Sequence, residues 1–177
     1  MNTLETLYSR HSVRSYTGEP LTEGELAEIL KAAKAAPVGM GKYETLHLTV
    51  IQNPDLLKEI DSTAAALFQQ PQMHPLYGAP TLVLVSAQVP PEGMGNIPYS
   101  NAATVVQNMA LAATELGVGV CHIWGATFAL AKSPELVKEL SLPEGFAPCC
   151  AAILGKTNET YAQRDIPEDR IAVTVLK

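Results

Sequence analysis

The apolar positions of this chain alternate between helical and strand periods over most of its length. Leu4, Leu7 and Tyr8 recur at helical spacing and predict a short first helix running towards Arg10. Tyr16-Thr17-Gly18-Glu19-Pro20 breaks it. Thr22-Glu23-Gly24-Glu25 has capping-box spacing, in which the Thr22 hydroxyl accepts from the Glu25 amide and the Glu25 carboxylate reaches back. Leu26, Ile29, Leu30 and Ala33 follow on one helical face, and Pro37 stops that helix near Ala36. Val38-Gly39-Met40-Gly41 is a loop, and Leu46 to Ile51 reads as a strand. Asn53-Pro54-Asp55 opens a helix that carries Leu56, Leu57 and Ile60.

Gly78-Ala79-Pro80 leads into Thr81 to Val85, a continuous β-rich run of the kind buried on both faces. Pro90 to Gly95 is a loop. From Tyr99 to Leu116 the chain is almost uncharged and rich in alanine, so it predicts a long helix buried all round, ended by Gly117. Val118 to Ile123 is a strand. Ser133-Pro134-Glu135 starts a further helix by cap, first-turn proline and an acid at the positive end. Pro148 to Leu154 is the last core strand, and Ile171 to Val175 is either a further strand or an arm lying on another subunit. No repeat or linker interrupts the series. The pattern describes one α+β domain over residues 1–177.

Charge changes this picture in one respect. The chain has 177 residues, 47% of them hydrophobic and 17% charged, with a net charge of −6. An acidic chain without a Lys/Arg block lacks the clustered cations that nucleic-acid phosphates require. Between Ser62 and Ala131 only Glu92 and Glu115 are charged. That central third is covered either by a large core of its own or by a second subunit or cofactor. The three cysteines, Cys121, Cys149 and Cys150, form no C-x-x-C pair and read as small core residues in a reducing cytosol. The first residues lack a signal-peptide pattern, and no apolar stretch is long enough for a membrane span, so a cytoplasmic location is expected.

Phosphate-loop, dinucleotide and nucleophile-elbow motifs are absent, and His11, His47, His74 and His122 have no ligand spacing, so no metal is expected. What remains is Arg10-His11-Ser12-Val13-Arg14 after the first helix. Two guanidinium forks, a hydroxyl and an imidazole within this stretch suit a phosphate monoester, because the planar fork donates two parallel hydrogen bonds. A solvated basic turn has the same composition. Trp124, taken alone, reads as a large core or interface aromatic.

The cluster does not stand alone. Arg-x-Ser-x-Arg at the end of a first helix, with Tyr16 after it, resembles the opening of the FMN-dependent nitroreductase family. Ala36 to Gly41 stands where that family has its loop against the flavin ring, followed by a matching strand at Leu46 to Ile51. Gly78-Ala79-Pro80, the helix around Val106 to Ala113 with its exit Leu116-Gly117-Val118-Gly119, and Leu154-Gly155-Lys156 with Gln163-Arg164 follow in the family's order. The resemblance implies a three-layer fold with a mixed central sheet flanked by helices, in an intertwined homodimer. It implies FMN held by Arg10, His11, Ser12, Arg14 and Arg164, with Pro37, Val38, Gly39, Met40 and Gly41 against the ring. Trp124 and Gly125 fall where backbone amides face its reactive edge.

The implied activity is NAD(P)H-dependent reduction of nitroaromatics, quinones or related acceptors. It runs as a ping-pong hydride exchange at flavin N5, with no protein acid or base assigned. A non-catalytic FMN store and a specialised flavin-dependent reductase of the same fold are the alternatives. Where many members carry Ser and Asn and then Gln-Pro-Trp, this chain has Val38 to Glu44; its two glycines still allow a close backbone approach to a flat ring.

Overall fold

In the computed structural model, which describes residues 2–93 and 95–177, six helices enclose a four-stranded sheet. Met1 and Met94, the latter inside the expected 90–95 loop, lie outside the described residues. α1 spans Thr3–Ser9 and is started by a capping box that the apolar pattern does not reveal: the Asn2 side chain accepts from the Glu5 amide at 3.0 Å and Glu5 accepts from the Asn2 amide at 2.9 Å. α2, Glu23–Lys34, has the expected Thr22–Glu25 box, with contacts of 3.2 and 2.8 Å.

β1 spans Leu46–Ile51, and α3, Pro54–Leu67, starts from Asn53, whose side chain accepts from the Asp55 and Leu56 amides. β2 spans Thr81–Gln88. α4, Asn96–Glu115, begins three residues before the expected start at Tyr99. Pro98 is tolerated there because first-turn amides have no intrahelical acceptor. β3 is Gly119–His122, α5 Trp124–Lys132, α6 Pro134–Glu139 and β4 Phe146–Gly155.

The strand order is β1-β2-β4-β3, and every pairing is antiparallel, so the expected mixed sheet is not found within this chain. Connectivity gives the reason. A lone helix between β1 and β2 would return the second strand parallel to the first. Here residues 68–80 carry the chain back along α3 before β2 begins, so β2 runs against β1. That return segment is pinned by Asp61 of α3, which accepts from the Leu76 amide at 2.7 Å and lies 3.0 Å from the His74 ring. β4 then enters between β2 and β3 and opposes both. The β2–β4 register shifts between Val85 and Ser86, where Val85 faces Cys150 and Ser86 faces Pro148. A bulge suits this spot, because Pro148 has no amide for the ladder. Cys149 is the extra residue; it is buried, and burial pushes its thiol up to about 11.

Alternation along the strands divides the core in two. Val83, Val85, Ala87, Val120, Ala152 and Leu154 face α2 and α4. Leu82, Leu84, Cys121, Ala151 and Ile153 face α3, α5 and α6. The result is a helix–sheet–helix sandwich with α1 packed on α4. All three cysteines are free thiols. Among the described residues no helix is long and apolar enough to cross a membrane, and no group of residues could hold a metal ion. Ile171 to Val175 forms no strand in this sheet, and Ile171, Val173 and Val175 are exposed.

The close of β4 has no room for a side chain. A Cβ on Gly155 would lie 2.6 Å from Pro80 Cδ and 2.9 Å from Tyr16 Cδ1. Gly155→Ala is expected to destabilise the fold by roughly 1–3 kcal/mol through overpacking. Urea denaturation checks this, and a variant of unchanged stability would refute it.

Candidate functional site

The basic segment is built by two stretches of chain from opposite ends of the sequence. α1 ends where the Arg10 amide bonds the Thr6 carbonyl at 3.0 Å. The backbone then runs along the outer edge of β3: the Val13 amide donates to the Val120 carbonyl at 2.9 Å, and the Val13 side chain is fully buried. Tyr16 locks the next turn, its hydroxyl donating to the Val13 carbonyl at 3.0 Å. Burial, before any charge, raises the Tyr16 pKa, so it stays a hydroxyl.

After β4 the chain doubles back beside this segment. The Thr17 amide donates to the Lys156 carbonyl at 2.9 Å and the Thr157 hydroxyl to the Ser15 carbonyl at 2.8 Å. The His11 and Tyr161 rings lie 4.9 Å apart, and His11 Nε2 is 3.1 Å from Glu159. Arg164 reaches the Tyr8 carbonyl through its amide at 3.2 Å and its Nε at 3.0 Å. The Tyr161 hydroxyl donates to the Val118 carbonyl at 2.8 Å, which fastens the returning strand to the sheet. Lys156 pairs with Glu25 at its start.

This antiparallel run sets Arg164 beside Arg10. Burial, then the cations of Arg10 and Arg170, lowers the Arg164 pKa. Burial and Arg10 likewise lower that of His122, although its edge is open to solvent at the end of β3. Among the described residues none of Arg10, Arg14 and Arg164 is ion-paired with a carboxylate; the neighbouring acids Glu159 and Glu25 are engaged by His11 and Lys156. Arg14 is exposed and its guanidinium lies 5.9 Å from the Tyr77 ring centre. Ser12 is half-buried between them in sequence. Guanidinium groups left without an ion-paired carboxylate favour an anion. Arg170, which joins the field, carried no sequence signal: it stands alone among acidic neighbours.

Trp124 and Gly125 form the first turn of α5 just past β3, on the same edge of the sheet. Gly125 is buried, with room for a Cβ only 3.2 Å from Phe68. Trp124 is 66% exposed and rests on Phe128 and Phe68, which excludes a core position for it within this chain.

The Pro37–Gly41 loop lies elsewhere. It precedes β1, the opposite edge strand, so roughly 14 Å of sheet, three strand spacings, separates it from the β3 edge. Val38 points into the core, while Pro37, Gly39, Met40 and Gly41 are exposed. Met40 holds a left-handed φ of 58° and its side chain is 81% exposed. Three polar residues of α4 hold the loop in place. The Asn101 side chain accepts from the Gly39 amide at 3.0 Å, the Thr104 hydroxyl donates to the Pro37 carbonyl at 3.1 Å, and Asn108 donates to the Ala32 carbonyl at 3.1 Å. Sequence reasoning missed them as a group, yet their i, i+3, i+7 spacing in an apolar helix was the available signal. Beside the loop is a cavity of about 410 Å³ walled by Met40, Gln88, Val89, Ile97 and Asn101 among others. One chain therefore gathers the cations with Trp124 and Gly125, and does not bring the Pro37–Gly41 loop to them.

Known proteins share this fold. The family model described as "Nitroreductase family" matches residues 7–156. A protein of Methanothermobacter thermautotrophicus, provisionally named an NADH dehydrogenase/NAD(P)H nitroreductase, is 29% identical over 97% of this chain and 86% of its own length. A nitroreductase with bound FMN from Desulfitobacterium hafniense superposes with a TM-score of 0.84 at 27% identity, covering 99% of this chain and 100% of that one. One from Bacteroides fragilis, also with bound FMN, gives 0.82 at 28% identity with the same coverage.

The tie between the returning segment and α2 has a pH signature. The hydrogen bond from Lys156, followed by that from the Thr22 backbone, holds the Glu25 carboxyl below its ordinary value of 4.5. The stability it contributes is full above that value and is lost as the pH falls through the depressed folded value. The stability difference between wild type and Glu25→Gln is expected to shrink on acidification, measured by urea denaturation at neutral pH and near pH 3. A difference constant with pH would refute the assignment.

Proposed function

The chain belongs to the nitroreductase family, and on that premise we propose that it is an FMN-dependent oxidoreductase that uses NAD(P)H to reduce nitroaromatic, quinone or related acceptors. The observation that carries the reading is Arg164 lying within the field of Arg10, with Arg14 on the same segment as Arg10 and none of the three paired with a carboxylate among the described residues. A phosphate monoester dianion is the ligand such a set fits, since guanidinium forks bind its oxygens in pairs. Arg10, Ser12, Arg14 and Arg164 would hold the FMN phosphate and adjoining chain, and His11 is kept in place by Glu159 and Tyr161. When bound, FMN supplies hydride acceptance and donation at its ring N5.

The protein's own part is binding and electrostatics. The amides of Trp124 and Gly125 lie in the first turn of α5, where backbone donors have no intrahelical acceptor and the helix dipole is positive. Aimed at the pyrimidine edge of a flavin, they stabilise negative charge there. No side chain is assigned as acid or base. Donor and acceptor react in turn, as two successive half-reactions at one site.

The working unit is a homodimer. The Pro37–Gly41 loop and the basic cluster flank opposite edges of one sheet, so a second copy supplies the loop to each cluster. Exposed Met40 and Ile97, and a C-terminal segment with Ile171, Val173 and Val175 in solvent, are apolar surface that such a pairing would cover. The segment then serves as an arm on the partner. A cytosolic location suits three free thiols.

Purified protein is expected to be yellow and to release FMN on denaturation. Arg10→Ala and Arg164→Ala are each expected to weaken FMN about 10-fold or more, the loss of a charge-assisted contact, while riboflavin, which has no phosphate, binds unchanged. Fluorescence titration of both flavins measures this. Equal loss for FMN and riboflavin would remove the phosphate assignment, and a colourless protein that takes up no FMN would end the reading.

A further inference from the structure

Trp124 is the chain's single tryptophan, and 66% of it is exposed. An exposed indole forgoes the burial that such a large ring would otherwise gain. Its placement is nevertheless fixed. The Trp124 and Phe128 rings stack with centroids 4.8 Å apart and planes 17° apart. Phe68 closes a triangle, 5.9 Å from Trp124 and 6.0 Å from Phe128. Gly125 lets Phe68 in, because a Cβ there would lie 3.2 Å from its ring. Two aromatic rings, Phe68 at the end of α3 and Phe128 one turn into α5, thus support one surface ring. The platform begins two residues after His122, whose imidazole feels Arg10, so it shares an edge of the sheet with the basic cluster.

We propose that Trp124 is the specificity-determining residue for the electron acceptor, and that it selects flat, electron-poor rings, nitroarenes and quinones, by stacking. The inference rests on the function proposed above. An indole presents a negative π face, and a ring depleted of electrons by nitro or carbonyl groups presents the complementary one. Phe128 and Phe68 hold the indole in a single orientation, so little freedom is lost when the acceptor stacks. An inorganic one-electron acceptor such as ferricyanide has no ring to place and gains nothing from this surface.

The test compares acceptors in the flavin-loaded protein. Trp124→Leu is expected to raise KM for p-nitrobenzoate about 3- to 10-fold, the scale of one aromatic stack, with kcat nearly unchanged. The loss with p-nitrobenzoate should exceed any change in flavin content or in the ferricyanide rate, and Trp124→Phe should restore most of the lost affinity. Calorimetric binding of p-nitrobenzoate without a nicotinamide donor should weaken by the same factor, a readout independent of turnover. Acrylamide should quench wild-type emission strongly, and p-nitrobenzoate should protect it.

An unchanged KM, or an equal loss with ferricyanide, would overturn the proposal. So would weak quenching in the free protein, which would mean that a second copy covers the indole. Loss of flavin from Trp124→Leu alone would assign the ring to the cofactor and overturn the acceptor role while leaving the proposed function standing. Wild-type protein without flavin would instead defeat the proposed function itself.

Discussion

The structure turns on the antiparallel contact between the segment after α1 and the segment after β4. Neither is a regular strand, and both are held by scattered bonds from backbone and side chains: Thr17 to Lys156, Thr157 to Ser15, Arg164 to Tyr8. Each bond is worth on the order of 1 kcal/mol. Together they bring Arg164 within the field of Arg10, two guanidinium groups that repel one another. That repulsion is opposed by the Tyr161 hydroxyl on the Val118 carbonyl just before β3, by the buried Val13 and by the Lys156–Glu25 pair at α2. Stability drawn from the core thus maintains an uncompensated positive field at the surface, as a site for an anion requires.

The same logic governs the opposite edge. The Pro37–Gly41 loop has a left-handed residue at Met40, and an isolated loop of that shape would not persist. Asn101, Thr104 and Asn108 fasten it and the end of α2 to the longest helix of the fold. Both edges of the sheet therefore carry chain segments held rigid by distant elements, and the sheet itself sets their separation.

Much of this was legible in the residues. The Thr22–Glu25 box, the buried run of β2 and the nearly uncharged α4 all follow from local rules, although α4 starts at Asn96 and is not buried all round, Ile97 and Tyr99 being exposed in this chain. The Arg10–Arg14 cluster and Arg164 could be named as a set only through the resemblance to a family, because nothing local says that residues so far apart meet. α5 was missed: it is apolar on every side, starts at Ile123 without a capping side chain, and so shows neither period nor boundary. The sheet's antiparallel order was misjudged because the reversal is made by residues 68–80, an irregular segment held by its own turns and by the Asp61 carboxylate.

The returning segment also orders events in time. The Arg164–Tyr8 bond joins residues 156 positions apart, and closing a loop of that length costs about 4.5 kcal/mol beyond the constant term. Helices and the β1–β2 pair close far shorter loops and form earlier. A chain emerging from the ribosome therefore builds its core first and joins its two ends last. Until Arg164 has joined Tyr8 the chain holds a folded core and half an anion site, so capture of a phosphate waits for that last closure.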